Sequence, residues 1–175
     1  MRLKFLSMKI EHSTTEDMAV AFSLYRAAVN YQRINGYNLW PEFEKELIEA
    51  EISEKRHYKI CEGSEIACVF SVVYNDPVIW EEKDKEPSVY LHRIATNPAF
   101  KGKGIMHLIT EWAKAHAKQN DKKFIRMDTW GDNEKLKAYY INCGFTYLNQ
   151  KSLPQPNPLP QHYWGSTLSL FEIKI

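Results

Sequence analysis

What the chain lacks narrows its function first. Of its 175 residues, 23 are basic and 22 acidic, which leaves a formal charge of +1. A nucleic-acid-binding surface ordinarily needs a basic excess or a basic stripe, so nucleic acid is not an expected partner. The densest charge cluster, "EEKDKE" from Glu81 to Glu86, mixes signs and reads as a solvated loop. No apolar run approaches the roughly 20 residues of a membrane span, so no membrane partner is expected either. The opening "MRLKFLSMKIEHS" starts basic but has neither an adequate apolar stretch nor a small-residue cleavage site. No leader is expected from it, and the expected location is cytoplasmic.

Cysteine is scarce as well. Cys61, Cys68 and Cys143 make an odd count with no CxxC pair. Cys61 and Cys68 flank a turn at "EGSE" and could be joined across strands, but a reduced intracellular pair is the expectation. The six histidines are scattered without ligand spacing, so no metal centre is expected. Internal repeats and a clear linker are missing too. One domain over residues 1–175, with one substantial core, fits the length.

What is present reads as alternating strands and helices. Leu3, Phe5, Met8 and Ile10 suggest a first strand. Residues 16–35 carry Val20, Leu24, Ala27 and Ala28 at helical spacing and stop at Gly36. "WPEFEKELIEAEISEK" predicts a second helix, with Pro41 at its first position. "HYKICEG" and "SEIACVFSVVYND" predict a hairpin about Gly63-Ser64. Residues 77–87 read as a loop, and "SVYLHRIAT" as a strand broken by Asn97-Pro98. Ile105, Leu108, Ile109, Trp112, Ala113 and His116 then mark an amphipathic helix. "KKFIRMDTW" predicts a strand and "DNEKLKAYYINCG" a helix closed by Gly144. "FTYLNQ" and "STLSLFEIKI" give two last strands around the proline-rich "LPQPNPLPQHYW". The order is β-α-α-β-β-β-α-β-α-β-β, an α/β (mixed α+β) class.

Glycine is the informative scarcity. There are only seven, yet two stand at Gly102 and Gly104 between Lys101 and Lys103, where a strand gives way to a helix. A P-loop needs GxxxxGK(S/T), which is missing, and a dinucleotide fingerprint needs a third glycine that "GKGIMH" does not supply. An anion site still fits on physical grounds. The first amides of a helix have no intrahelical acceptor, and the helix dipole adds positive charge there. Glycines let a phosphate approach the backbone, and the two lysines add charge. A flexible basic turn before an ordinary helix is the bland alternative.

These residues resemble the acetyl-CoA-binding motif of the GNAT superfamily of N-acetyltransferases, Gln/Arg-x-x-Gly-x-Gly/Ala after a central strand. Here it is Lys101-Gly102-Lys103-Gly104-Ile105-Met106. Lysine replaces Gln/Arg, keeping the charge, and Met106 puts a side chain where the family has Gly or Ala. A second segment, "TWGDNEKLKAYYINCGF", resembles the family's N-x(6)-Y-x(3)-G-F through Asn133, Tyr140, Gly144 and Phe145. Taken alone, Tyr140 reads as a core aromatic at helical spacing.

The resemblance implies a central mixed, mostly antiparallel sheet of about seven strands flanked by about four helices. It implies acetyl-CoA as co-substrate and direct attack by a primary amine in a ternary complex. Ile94 and Thr96 would pair through their backbones with the pantetheine arm, and the Ile94 amide would be the oxyanion donor. Tyr140 would protonate the departing thiolate, and Asn133 would bond the cofactor. For the general base, His92 and Tyr90 lie on the Ile94 face by strand alternation. Glu81, Glu82 or a water chain are alternatives. A covalent route through Cys143 lacks a histidine partner.

The implied acceptor is a small-molecule amine, a peptide N-terminus or a lysine. Tyr31, Tyr37, Trp40 and Trp164 could wall its pocket, with Glu42, Glu81 or Glu82 attracting the cation. Core packing or a homodimer contact explains the same aromatics equally well. The rival from another class is a non-catalytic acyl-CoA-binding sensor on the same fold.

Overall fold

The turn at Gly63-Ser64 closes a hairpin, as the flanking β-branched and aromatic runs predict. It joins β2 (His57–Glu62) to β3 (Glu65–Val73), with Glu62 opposite Glu65. The computed structural model describes residues 8–131 and 133–175. Met8–His12 forms β1, antiparallel to β2, while Leu3 and Phe5 lie outside the described residues. The remaining strands are β4 (Ser88–Thr96), β5 (Phe124–Trp130), β6 (Thr146–Ser152) and β7 (Thr167–Lys174). They make a seven-stranded sheet ordered β1-β2-β3-β4-β5-β7-β6. Ser88–Tyr90 run parallel to Phe124–Arg126, and β7 lies antiparallel between β5 and β6.

Five α-helices accompany the sheet among the described residues. They are α1 (Met18–Ile34), α2 (Lys45–Ser53), α3 (Pro77–Trp80), α4 (Ile105–Gln119) and α5 (Glu134–Asn142). No helix among them is long and apolar enough to cross a membrane.

Three expectations need correction. The second helix starts at Lys45, so Pro41 does not open it. Residues 40–44 stay non-helical because Trp40 and Phe43 pack against the Tyr25 ring, and Gln32 Oε1 accepts from Trp40 N at 2.8 Å. The buried stripe of α1 is Met18, Ala21, Leu24 and Tyr25, and Val20 is 40% exposed. Segment 77–87 is no open loop. Pro77 starts α3, whose Ile79 and Trp80 are buried, and Glu81–Lys85 continue as a 3-10 turn.

The chain divides into two compact units. The first holds the described residues up to Val72 together with His92–Ile109. Its core gathers Met18, Ala21, Leu24, Tyr25, Ile48, Ile52, Val69 and Ala95. The second holds Val73–Leu91 and Thr110–Ile175. Its core is built on Trp80, Tyr90, Leu153, Leu168 and Leu170. Here the buried Arg126 ties the charged segment to β5. It pairs with Glu86 and Glu172 and donates to Lys83 O and to Ser88 Oγ. A buried cation needs such partners, and from the charged segment it takes the Glu86 carboxylate and the Lys83 carbonyl while most of the other charges stay exposed.

The first unit also buries a histidine. His57 is bonded through Nε2 to the Tyr25 hydroxyl at 2.9 Å and through Nδ1 to Ser13 Oγ at 2.7 Å. Burial, offset only in part by the Glu51 carboxylate, pushes its pKa from 6.5 down to about 4. Between those two values the unfolded chain binds the proton more readily than the folded one, so stability falls as pH falls. A depression of this size corresponds to about 3 kcal/mol between pH 7 and pH 4. Urea denaturation of His57→Gln should show a shallower loss over that range than the wild type. Parallel pH profiles would refute the neutral buried imidazole.

Candidate functional site

In the first unit, β4 ends at Thr96 and Asn97 turns the chain. Its N–H donates to Ala67 O at 2.9 Å, and its side-chain amide donates to Ile66 O at 3.2 Å. Its side-chain oxygen accepts from Ala99 N at 3.0 Å, starting a 3-10 turn over Pro98–Phe100. The strand end is therefore pinned to β3 while the chain swings into the glycine segment.

Gly102 and Gly104 adopt φ of +78° and +74°, which a side chain at either site would strain. At Gly102 the reason is torsional rather than steric, since an added Cβ would meet nothing within 4 Å. The segment delivers the chain into α4, whose opening turn is closed by Leu108 N donating to Gly104 O at 3.2 Å. Helix geometry leaves the amides of such a turn to outside acceptors, with the positive end of the dipole behind them.

Both lysines are engaged. Lys103 pairs with Glu62 at 2.8 Å and lies over the Phe100 ring, and Lys101 lies over the Tyr31 ring. Met106 is 3% exposed, so its side chain enters the core and does not stand over the loop. Ile105 is buried with it.

Upstream, His92, Ile94 and Thr96 are half-buried, and the Thr96 hydroxyl donates to Cys68 Sγ at 3.6 Å. Between His92 and Ile94 stands Arg93 with φ +49°. A left-handed residue inside a strand breaks the two-residue alternation, so parity no longer puts His92 on the Ile94 face. The sequence gives no hint of this bend.

Arg93 pairs with Glu51, a buried carboxylate of α2 that sequence reading passes over. Its signal is an acid on the helix face set by the neighbouring Ile48 and Ile52. Of the expected acceptor aromatics in this unit, Tyr31 and Tyr37 form a ring pair, whereas Trp40 is half-buried and packs against the core. Glu42 is exposed.

The second unit carries the other motif. Asn133 caps α5, its side-chain oxygen accepting from Leu136 N at 2.9 Å. Two turns on, the half-buried Tyr140 sets its ring edge-on to Phe145 and Phe171. The helix ends as the "CGF" sequence predicts, with Gly144 N donating to Ile141 O and Phe145 N to Tyr140 O.

Several other expected residues have structural duties here. Tyr90 is buried and donates to Asp84 at 2.6 Å. Burial, reinforced by that carboxylate, pushes its phenol up to about 12, which argues against a base at neutral pH. Glu81 pairs with Lys151 at 2.9 Å, and Glu82 pairs with Lys85. The Trp164 indole N–H donates to Asn157 O and Leu159 O, which organises the proline-rich loop. Burial also raises the Cys143 thiol, a poor start for a nucleophile. Cys61, Cys68 and Cys143 are not joined by a disulfide.

Comparison with known proteins bears on this arrangement. The model of the Acetyltransferase (GNAT) family matches residues 24–145, which include the glycine segment, Asn133, Tyr140, Gly144 and Phe145. An uncharacterized N-acetyltransferase, YesJ, of Bacillus subtilis (strain 168) is 30% identical over 73 residues. That match covers 42% of this chain and 41% of the relative, so the two correspond over less than half of the relative's length.

Among solved structures, an acetyltransferase of the GNAT family from Listeria monocytogenes superposes with a TM-score of 0.76 at 19% identity. It covers 96% of this chain and 95% of its own. An acetyltransferase described as putative from Salmonella typhimurium, solved with its cofactor acetyl-CoA, gives 0.66 at 16% identity, covering 96% and 94%. Identities this low speak for the fold. The family match, running from α1 through the glycine segment to the end of α5, speaks for descent. The chain belongs to the GNAT acetyltransferase family.

Proposed function

We propose that the chain moves an acetyl group from acetyl-CoA to a primary amine by direct attack in a ternary complex. The observation that supports this most is the pair of left-handed glycines that delivers the end of β4 into the first turn of α4. The Salmonella neighbour carries acetyl-CoA on the same fold, which favours the same co-substrate here.

In this reading the amides around Gly102–Met106 receive the pyrophosphate, and the Asn133 amide nitrogen bonds the cofactor while its oxygen keeps the cap. The backbone of Ile94 and Thr96 holds the pantetheine arm. The Ile94 N–H stabilises the oxyanion as the amine nitrogen bonds the carbonyl carbon, a contribution on the order of 3 kcal/mol. As the carbon–sulfur bond breaks, Tyr140 gives its proton to the leaving thiolate. The proton lost by the amine passes to His92 or to a water chain. Cys143 takes no part, in keeping with its buried, raised thiol.

The acceptor class follows the family's chemistry. One neighbour of the fold is a ribosomal-protein-S18-alanine N-acetyltransferase from Escherichia coli, so peptide N-termini belong in the panel beside small amines. Initial rates of CoA thiol release, with both substrates varied, provide the test. Intersecting double-reciprocal lines with at least one amine are expected. Tight CoA binding without turnover on any amine would make the chain a sensor, and parallel lines would indicate an acyl-enzyme.

A further inference from the structure

Arg93 holds a backbone conformation that strands ordinarily avoid. Its φ of +49° lies within β4, and a non-glycine residue there is strained. It directly precedes Ile94, so its torsions set the plane of the connecting peptide and the direction of the Ile94 N–H. A strained residue persists only where its surroundings hold it.

The holder is visible on α2. The Arg93 guanidinium pairs with Glu51 and lies 5.5 Å from the centre of the Phe43 ring. Arg93 is only 16% exposed and Glu51 only 2%. The second Glu51 oxygen accepts from Ser71 Oγ at 2.6 Å on β3, and Arg56 Nη1 stands 3.8 Å from the first. Arg93 Nε is buried with no hydrogen-bond partner. The Tyr25 hydroxyl and the Phe43 ring also touch the guanidinium, and Glu51 is the carboxylate paired with it. Ile48 and Ile52 already supply the apolar contacts of that helix face, and packing alone gives no reason for a carboxylate between them. Buried ion pairs contribute little net stability compared with apolar residues.

We infer that Glu51 is a positioning residue for acetyl transfer: through Arg93 it holds the left-handed bend of β4 that aims the Ile94 amide. This rests on the reading of that amide as the oxyanion donor. The pair tethers a strand bend to a helix and to the neighbouring strand, all inside the first unit.

Glu51→Gln tests it, because glutamine keeps the size and the bond to Ser71 while removing the charge. The kcat for amine acetylation should fall about 10- to 100-fold, a partial loss of oxyanion stabilisation, with KM for acetyl-CoA within about threefold. Adding Arg93→Gly to that variant should restore kcat to within about fivefold of wild type. Glycine adopts this φ without a holder and removes the unpaired charge. A lower melting temperature with unchanged kcat per folded molecule would overturn the inference, as would a double variant no faster than Glu51→Gln. If Glu51→Gln does not fold, the double variant alone decides, by retaining or losing turnover.

A readout without substrate separates this from the proposed reaction. The Arg93 Cα and Cβ chemical shifts should report left-handed backbone in the wild type and ordinary strand in Glu51→Gln. Unmoved shifts would overturn the inference. If the shifts move but the wild type acetylates no amine, the reaction assignment fails and the bend-holding pair stands.

Discussion

Tyr140→Phe is expected to lower kcat by about 10²–10⁴, the usual contribution of a positioned general acid. In transition-state terms this is about 3–5 kcal/mol. The substitution removes one oxygen and keeps the ring, whose edge-on contacts with Phe145 and Phe171 hold it in place. Those contacts are what make the variant informative, because the α5 terminus should survive it. The Kd for CoA should therefore stay within about threefold, since the missing proton matters only as the thiolate leaves. Unchanged kcat would remove Tyr140 from the chemistry and leave it the core aromatic that its helical spacing alone suggests.

Gly104→Val should have the next largest effect, on binding rather than on rate. Its φ of +74° is a strained conformation for a β-branched residue, at a cost of about 1–3 kcal/mol. The chain can bear that strain or rotate the peptide, and rotation turns the amides that begin α4 away from the proposed pyrophosphate site. A rise in the Kd for acetyl-CoA of about 10- to 100-fold is the expected calorimetric result. Gly36→Val is the control. Gly36 also has positive φ, +70°, with nothing within 4 Å of an added Cβ, and it lies just past α1, away from the loop in sequence. It should lose stability and keep its affinity. Equal losses of affinity in the two variants would mean that the glycine segment is only a flexible turn.

The parts of the fold that the sequence announced are those with local causes. Gly63-Ser64 made a hairpin, Asn97-Pro98 ended a strand, Asn133 capped α5 and Gly144 closed it. Each depends on its own torsions or on a bond to a residue two or three positions away, although Asn97 is also held by Ile66 and Ala67 of β3. The misreadings came from contacts distant in sequence. Pro41 looked like a helix start, but Trp40 and Phe43 are held out of the helix by α1. The charged side chains of 81–83 and Lys85 are exposed, as the mixed signs suggest, but the segment is not an open loop: Arg126, some forty residues on, draws Glu86 and the Lys83 carbonyl around itself.

The candidate site divides the same way. Its glycines, asparagine and tyrosine are legible through the family motifs they match. Arg93 and Glu51, forty-two residues apart, follow no spacing rule, and nothing local predicts φ +49° at an arginine. Met106 gave the opposite lesson. By its place in the motif its side chain would stand at the proposed phosphate site, yet Met106 is buried.

The central claim is that this chain passes an acetyl group directly from acetyl-CoA to an amine. Acetyl-CoA carrying isotope in the acetyl group, incubated with the protein and a panel of small amines and peptides, tests it in one measurement. Mass spectrometry should find the label as an amide on at least one amine, matched by an equal amount of free CoA, with none retained on the protein. Label fixed on the protein, or label that never leaves acetyl-CoA although the protein binds it, would contradict the account.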